Sequence, residues 1–175
     1  GSPARHIPIA FVRWRRERCN MKESVLMSGW LIGLVSAFAY GGELKVSALA
    51  VPAEKIGPGW TGPTGLMVDD INAPPAAAKD MSDVIEKQMR PAGVTALADF
   101  TYFMASDEMQ MVTLRVFAFK TEEQCRQWVK AKYEFPGWEK KYKTPEDKSV
   151  TGFDSLEMRK RIVIVGSLLI TAGTI

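Results

Sequence analysis

Two runs of alternating side chains, Val94 to Met104 and Met109 to Phe119, constrain this chain more than any other feature. A period of two puts successive side chains on opposite faces of an extended strand. Two such runs around Ser106-Asp107-Glu108 read as a β-hairpin turning about Asp107 through a three-residue loop. In that register Asp99 stands across from Arg115, and Thr101 across from Thr113. One face then carries Val94, Ala96, Ala98, Phe100, Tyr102 and Met104 against Gln110, Val112, Leu114, Val116 and Ala118. It is apolar and is expected to carry the helices of the fold. The other face carries Thr95, Leu97, Asp99, Thr101 and Phe103 against Met111, Thr113, Arg115, Phe117 and Phe119.

The segments on either side add helices and further strands. Gly65 to Asp69 reads as a short strand, followed by Asp69, Asp70 and Asn72, an oxygen-rich turn without the spacing or distal Glu of a calcium loop. From Pro74 to Arg90, Met81, Val84, Ile85, Gln88 and Met89 recur at helical spacing, and Pro91 with Gly93 ends the run. Thr121-Glu122-Glu123-Gln124 is a capping box, opening a helix with the stripe Cys125, Trp128, Val129 and Tyr133. Residues 138–158 are polar and turn-rich, with Trp138 and Tyr142 expected to fold back on the core. Arg161 to Thr171 is rich in β-branched residues and reads as one buried strand. A truncated membrane tail is the rival reading of Ile162 to Ile175, but fourteen residues fall short of the ~20 that a span needs. The resulting order is βαββαβ. This is the split βαβ order of ferredoxin-like folds: α+β, an antiparallel sheet with two helices on one face.

The first forty residues carry an address. Val25 to Tyr40 is a sixteen-residue uncharged run, with Lys22 before it and Ala37-Phe38-Ala39 at its end. A positive start, an apolar centre and a small-x-small end are the parts of a secretory signal peptide. The expected organisation is an upstream extension or expression remnant over 1–20, a signal peptide over 21–39, an irregular Gly/Pro-rich lead-in over 40–63, and one α+β domain over 64–175. Cleavage is expected after Ala39 or after Ala50, giving a secreted or periplasmic protein. An uncleaved segment would anchor it in a membrane instead.

Charge and rare residues narrow the function classes. The first 39 residues hold six of the 23 basic side chains and two of the 20 acidic ones, leaving seventeen against eighteen beyond them. The basic excess belongs to the leader, so the domain lacks the cationic surface that phosphate binding needs, and no nucleic-acid partner is expected. The chain has two Cys, Cys19 and Cys125, and one His, His6. A domain beginning after residue 39 therefore holds one Cys and no His. That excludes an internal disulfide, a His-based triad and the common zinc sites. No catalytic residue, cofactor or metal site is expected, and Cys125 reads as a small buried apolar residue.

What remains is the mixed face of the hairpin. Asp99, Thr101, Phe103, Met111, Thr113, Arg115, Phe117 and Phe119 interleave aromatic area with an ion pair and two hydroxyls. The plain reading is a half-exposed sheet, or one covered by residues 138–158. The functional reading is a non-catalytic module that binds a protein partner, a second copy or an apolar small molecule there. The alternative is a small enzyme of the dimeric α+β barrel type, with Asp99 as base or orienting carboxylate and Arg115 as anion anchor. Expressed with its leader in a secreting host, the protein is expected to be exported and cut near Ala39 or Ala50. Mass spectrometry of the mature N-terminus checks this; full-length protein in the cytoplasm would overturn it.

Overall fold

The computed structural model describes residues 45–144, 151–156 and 160–174, except the side chains of 108 and 109. The leader expected over 1–39 lies outside the described residues. The hairpin forms in the register its alternation requires. Strand β3 (Val94–Met104) and strand β4 (Asp107–Phe119) pair antiparallel from Ala96 opposite Ala118 to Phe103 opposite Met111. Asp99 faces Arg115 and Thr101 faces Thr113. The turn is tighter than expected, because Met104 pairs with Asp107 and leaves Ala105-Ser106 as the loop. The surplus residues after Asp107 bulge out of β4. A second irregularity brings Val94 opposite Phe119, which turns Val94 to the face of Leu97.

The rest of the sheet grows outward from this pair. It also includes β1 (Trp60–Thr64), β2 (Met67–Val68), β5 (Tyr142–Lys143), β6 (Gly152–Ser155), β7 (Lys160–Val165) and β8 (Leu168–Thr174). The eight strands run β1-β3-β4-β8-β7-β6-β5, with β2 also pairing β3, and every pairing is antiparallel. The protein is α+β with one antiparallel sheet and few helices. The βαββαβ order is not adopted, for two local reasons. The expected single strand over 161–171 breaks at Gly166-Ser167, where Val165 pairs with Leu168 and Gly166 takes a φ of +57°. A Gly-Ser pair between two apolar runs is itself a two-residue hairpin signal. The strand before the first helix also pairs directly with β3, where a split βαβ unit would place another strand between them. Part of the polar 138–158 stretch supplies the edge strand β5 and its neighbour β6.

The covering layers are the reverse of the expected ones. The helices lie on the mixed face. Residues 76–89 form one helical segment of changing pitch: a 3-10 stretch Ala76–Met81, an α turn Ser82–Val84 and a π turn Ile85–Met89. The long helix Glu122–Tyr133 opens on Thr121, whose hydroxyl accepts the Gln124 N–H at 3.2 Å, as the capping box requires. Ile85, Met89, Cys125 and Val129 from these segments pack on Leu97, Phe117 and Phe119. The Trp128 ring lies 6.1 Å from both Phe117 and Phe119. Gln88, counted in the apolar stripe, is exposed. The rings of Trp138, Tyr142 and Phe153 do fold back onto this core, 6.0 Å apart from Trp138 to Phe153 and from Tyr142 to Phe153.

The other face is covered by the lead-in. Val46, Leu49, Val51, Ile56 and Trp60 pack on Ala96, Ala98, Phe100, Tyr102, Leu114 and Val116. Two polar ties hold them there. The Tyr102 hydroxyl donates to the Val51 carbonyl at 2.8 Å and accepts the Val51 N–H at 3.1 Å. The Asp69 carboxylate accepts the Ser47 N–H at 2.8 Å and the Ser47 hydroxyl at 2.6 Å. Residues 46–56 are therefore part of the folded unit rather than an irregular lead-in. A cut after Ala50 would remove Val46 and Leu49 from this core, whereas a cut after Ala39 would leave it whole.

Both buried weak acids make this core sensitive to alkali. Burial pushes the Tyr102 hydroxyl from 10.0 up to about 12, offset in part by its bond to Val51. Burial likewise pushes the Cys125 thiol from 9.0 up to about 11. Folding favours the protonated form of each, so their contribution is full at neutral pH. It is lost as pH rises, over about 9 to 11 for Cys125 and about 10 to 12 for Tyr102. Tyr102→Phe leaves a buried N–H and C=O of Val51 unpaired and is expected to cost ~1–3 kcal/mol in urea unfolding at pH 7. The gap to wild type should narrow above pH 10. An unchanged midpoint at pH 7 would show that the tie carries no load.

Candidate functional site

The site lies where the helical cover of the mixed face stops. Leu97 and Phe117 are buried beneath the helices. One step along the strands stand Asp99 and Arg115, and beyond them Thr101, Thr113, Phe103 and Met111 are half-buried. The Arg115 Nε donates to Asp99 Oδ2 at 2.9 Å, and Nη2 closes on the same oxygen. Using Nε and one Nη2 hydrogen leaves Arg115 with Nη1 and the second Nη2 hydrogen for other acceptors. The side chains are 52% and 27% exposed, so this is a pair at the surface, with the carboxylate the more enclosed member.

A turn of β1 into β2 holds the carboxylate side in place. Gly65 has a φ of +128°, and a Cβ there would lie 1.9 Å from the Asp99 carbonyl oxygen. Only glycine permits both the backbone conformation and this approach. The Asp99 N–H donates to the Leu66 carbonyl at 2.8 Å, which brings the Leu66 side chain over the sheet.

Between this turn, the 76–89 segment and the sheet is a cleft of about 250 Å³. Its walls are Leu66, Met81, Val84, Met89, Leu97 and Phe117, and Asp99 and Arg115 complete the lining. That is an apolar slot ending on an ion pair. Its volume falls just under the ~300–1,000 Å³ common for small-molecule sites, so it suits a short chain or a single ring.

The eight residues singled out from the sequence thus divide three ways. Asp99, Arg115 and Phe117 line the cleft. Phe119 belongs to the core under Trp128. Thr101, Phe103, Met111 and Thr113 lie on the open end of the sheet, with Phe103 directly opposite Met111. Sequence reasoning missed the opposite wall. Met81, Val84 and Met89 were legible only as a helical stripe, and Leu66 only as a strand residue. Nothing in their spacing says that a slot remains between helix and sheet.

It also missed two residues beside Arg115. The Lys160 ammonium sits over the Tyr133 ring, 5.5 Å from its centroid. Burial, and next the Arg115 charge, hold the Lys160 pKa below its usual value. Burial, then Tyr142, raise that of Tyr133, with Arg115 opposing. The three side chains therefore share one electrostatic neighbourhood at the end of the cleft.

Other candidates resolve as structure. Asp69 is committed to Ser47, and Asp70 Oδ1 accepts the Asn72 N–H at 2.8 Å, forming a local Asx-type turn. Among the described residues no three His, Cys, Asp or Glu side chains gather as a metal site. Cys125 is buried in the helical cover, and its raised pKa keeps it a neutral thiol at pH 7. No helix among the described residues is long and apolar enough to cross a membrane. Compared with known proteins, the chain matches no family model, no curated protein and no solved structure.

The exposure of the ion pair sets its stability effect. Arg115→Ala and Asp99→Ala are each expected to cost no more than ~1 kcal/mol in urea unfolding, with a coupling of ~0.2–1 kcal/mol in the double mutant. A coupling of ~3 kcal/mol or more would show the pair to be desolvated, as by a second subunit over this face.

Proposed function

We propose that this protein is an exported, non-catalytic binding module that takes a small apolar ligand in the cleft between the 76–89 segment and strands β3 and β4. One observation carries the reading. Six apolar side chains leave about 250 Å³ unfilled beside an ion pair that stands at the surface. Protein interiors are packed to the density of organic crystals, so an unfilled apolar slot at a surface forfeits contacts that a ligand would restore. The slot is bounded by sheet and by a helical segment that includes a π turn, an irregularity frequent at functional sites. Export is part of the proposal because of the signal-like leader. A core held by apolar packing and the hydrogen bonds of Tyr102 and Asp69, with the described Cys125 a buried thiol, is compatible with that setting.

Titration with octanol, followed by the methyl resonances of Met81 and Met89, tests the reading. Saturable shifts at these methyls, larger than at Met67 outside the slot, are expected. Val84→Trp should fill the cleft and abolish the shifts while the protein stays folded. Wild-type methyls that do not move at saturating octanol would overturn the proposal.

A further inference from the structure

We propose that the ligand is an amphipathic carboxylate, its apolar chain in the cleft and its anionic end held between Arg115 and Lys160. This rests on the reading of the cleft as a ligand site and deepens it by naming the chemical class.

The strand register places the two cations on one face. Thr113 faces Gly173 and Gly173 faces Lys160, while Arg115 faces Thr171 and Thr171 faces Ile162. Directly opposed residues of an antiparallel sheet point to the same side, so Arg115, Thr113 and Lys160 share the face that bears the cleft. Arg115 and Lys160 are two strands apart and two residues offset, a Cα separation of about 12 Å from ordinary strand spacing. Arg115 turns its Nε and Nη2 to Asp99 on β3, the Lys160 ammonium lies over the Tyr133 ring, and both side chains are long enough to reach an anion lodged between them.

No side chain rises from the sheet between Thr113 and Lys160, because the residue there is Gly173. A Cβ at Gly173 would sit 3.5 Å from the Thr113 hydroxyl and 3.9 Å from the Lys160 Cγ. Its hydrogen keeps clear the space that a larger side chain would fill. The Thr113 hydroxyl and the Tyr133 ring edge the same notch.

Among the described residues the charges around this place leave one cation in excess. Asp99 is engaged by Arg115, and the Lys160 ammonium has an aromatic ring as its partner, with no carboxylate paired to it among the described residues. A half-buried ammonium beside a guanidinium loses solvation and gains repulsion, the two causes that lower its pKa. A bound carboxylate removes both penalties. Arg115 retains donors on the side not used by Asp99, and Lys160 supplies a point charge from across the notch. Because Arg115 lines the cleft itself, an anion on it has its chain directed along the apolar walls.

Isothermal calorimetry with octanoate, octanol and octylamine tests this, on wild type, Lys160→Gln and Lys160→Arg. Octanoate is expected to bind wild type about ten- to a hundredfold tighter than octanol, as a charge-assisted contact implies, and octylamine more weakly than either. Lys160→Gln should remove most of that preference while leaving octanol affinity unchanged, and Lys160→Arg should restore it. The preference should also shrink as salt is raised. Equal binding of octanoate and octanol by wild type would overturn the anionic end group and leave the cleft reading intact. A preference for octanoate that survives in Lys160→Gln would overturn the role of Lys160. Binding of neither would overturn both readings.

Discussion

Everything in this fold depends on a hairpin that is buried on both faces. Strands β3 and β4 carry Ala98, Phe100, Tyr102, Leu114 and Val116 on one side and Leu97, Phe117 and Phe119 on the other. A central antiparallel pair with apolar area on both sides needs two covers. The chain supplies one from before the hairpin and two helical pieces from around it. The lead-in 46–56 closes one face, and the segments 76–89 and Glu122–Tyr133 close the other. The remaining strands extend the ladder from β4 through β8, so their placement follows from its edge.

The covers differ in how completely they close. The lead-in is tied by hydrogen bonds of Tyr102 to Val51 and of Asp69 to Ser47, polar anchors that fix its register on the sheet. The helical cover is held by side-chain packing around Phe117, Phe119 and Trp128. It reaches only as far along the strands as their apolar side chains do. Where Leu97 and Phe117 give way to Asp99 and Arg115, the helices stop and the slot remains. A functional surface here is the boundary between a packed core and a polar row on one continuous sheet face.

That boundary also concentrates charge. The sheet brings Arg115 and Lys160 together from strands far apart in sequence, and the long helix adds the Tyr133 ring from its last turn. Contrast the pair formed by Asp154 and Arg161 on β6 and β7, where Arg161 donates Nε and Nη2 to the two carboxylate oxygens at 2.6 and 2.7 Å. There each charge is matched across the ladder. At the cleft Asp99 is matched by Arg115 alone, while Lys160 on the other side of Arg115 lies over the Tyr133 ring, and this asymmetry is what marks the site.

The sequence by itself determined the hairpin, its register and the helix that opens on Thr121, because those features are local. Alternation with a period of two sets which side chains share a face, and a capping residue acts within one turn of its helix. It also placed Asp99 opposite Arg115, since a short connection leaves few registers to choose from. What only the tertiary structure decided is which cover takes which face. The mixed face looked open because it interleaves Asp99, Thr101, Thr113 and Arg115 with its aromatic side chains. In the fold the helices cover the end that carries Leu97, Phe117 and Phe119 and leave Asp99, Arg115, Thr101, Thr113 and Phe103 beyond their reach. That choice is made by contacts such as Tyr102 with Val51, 51 residues apart, and by Lys160 arriving beside Arg115 through β8. Local periodicity carries no record of such partners, because burial is a property of the assembled layers and not of any one segment.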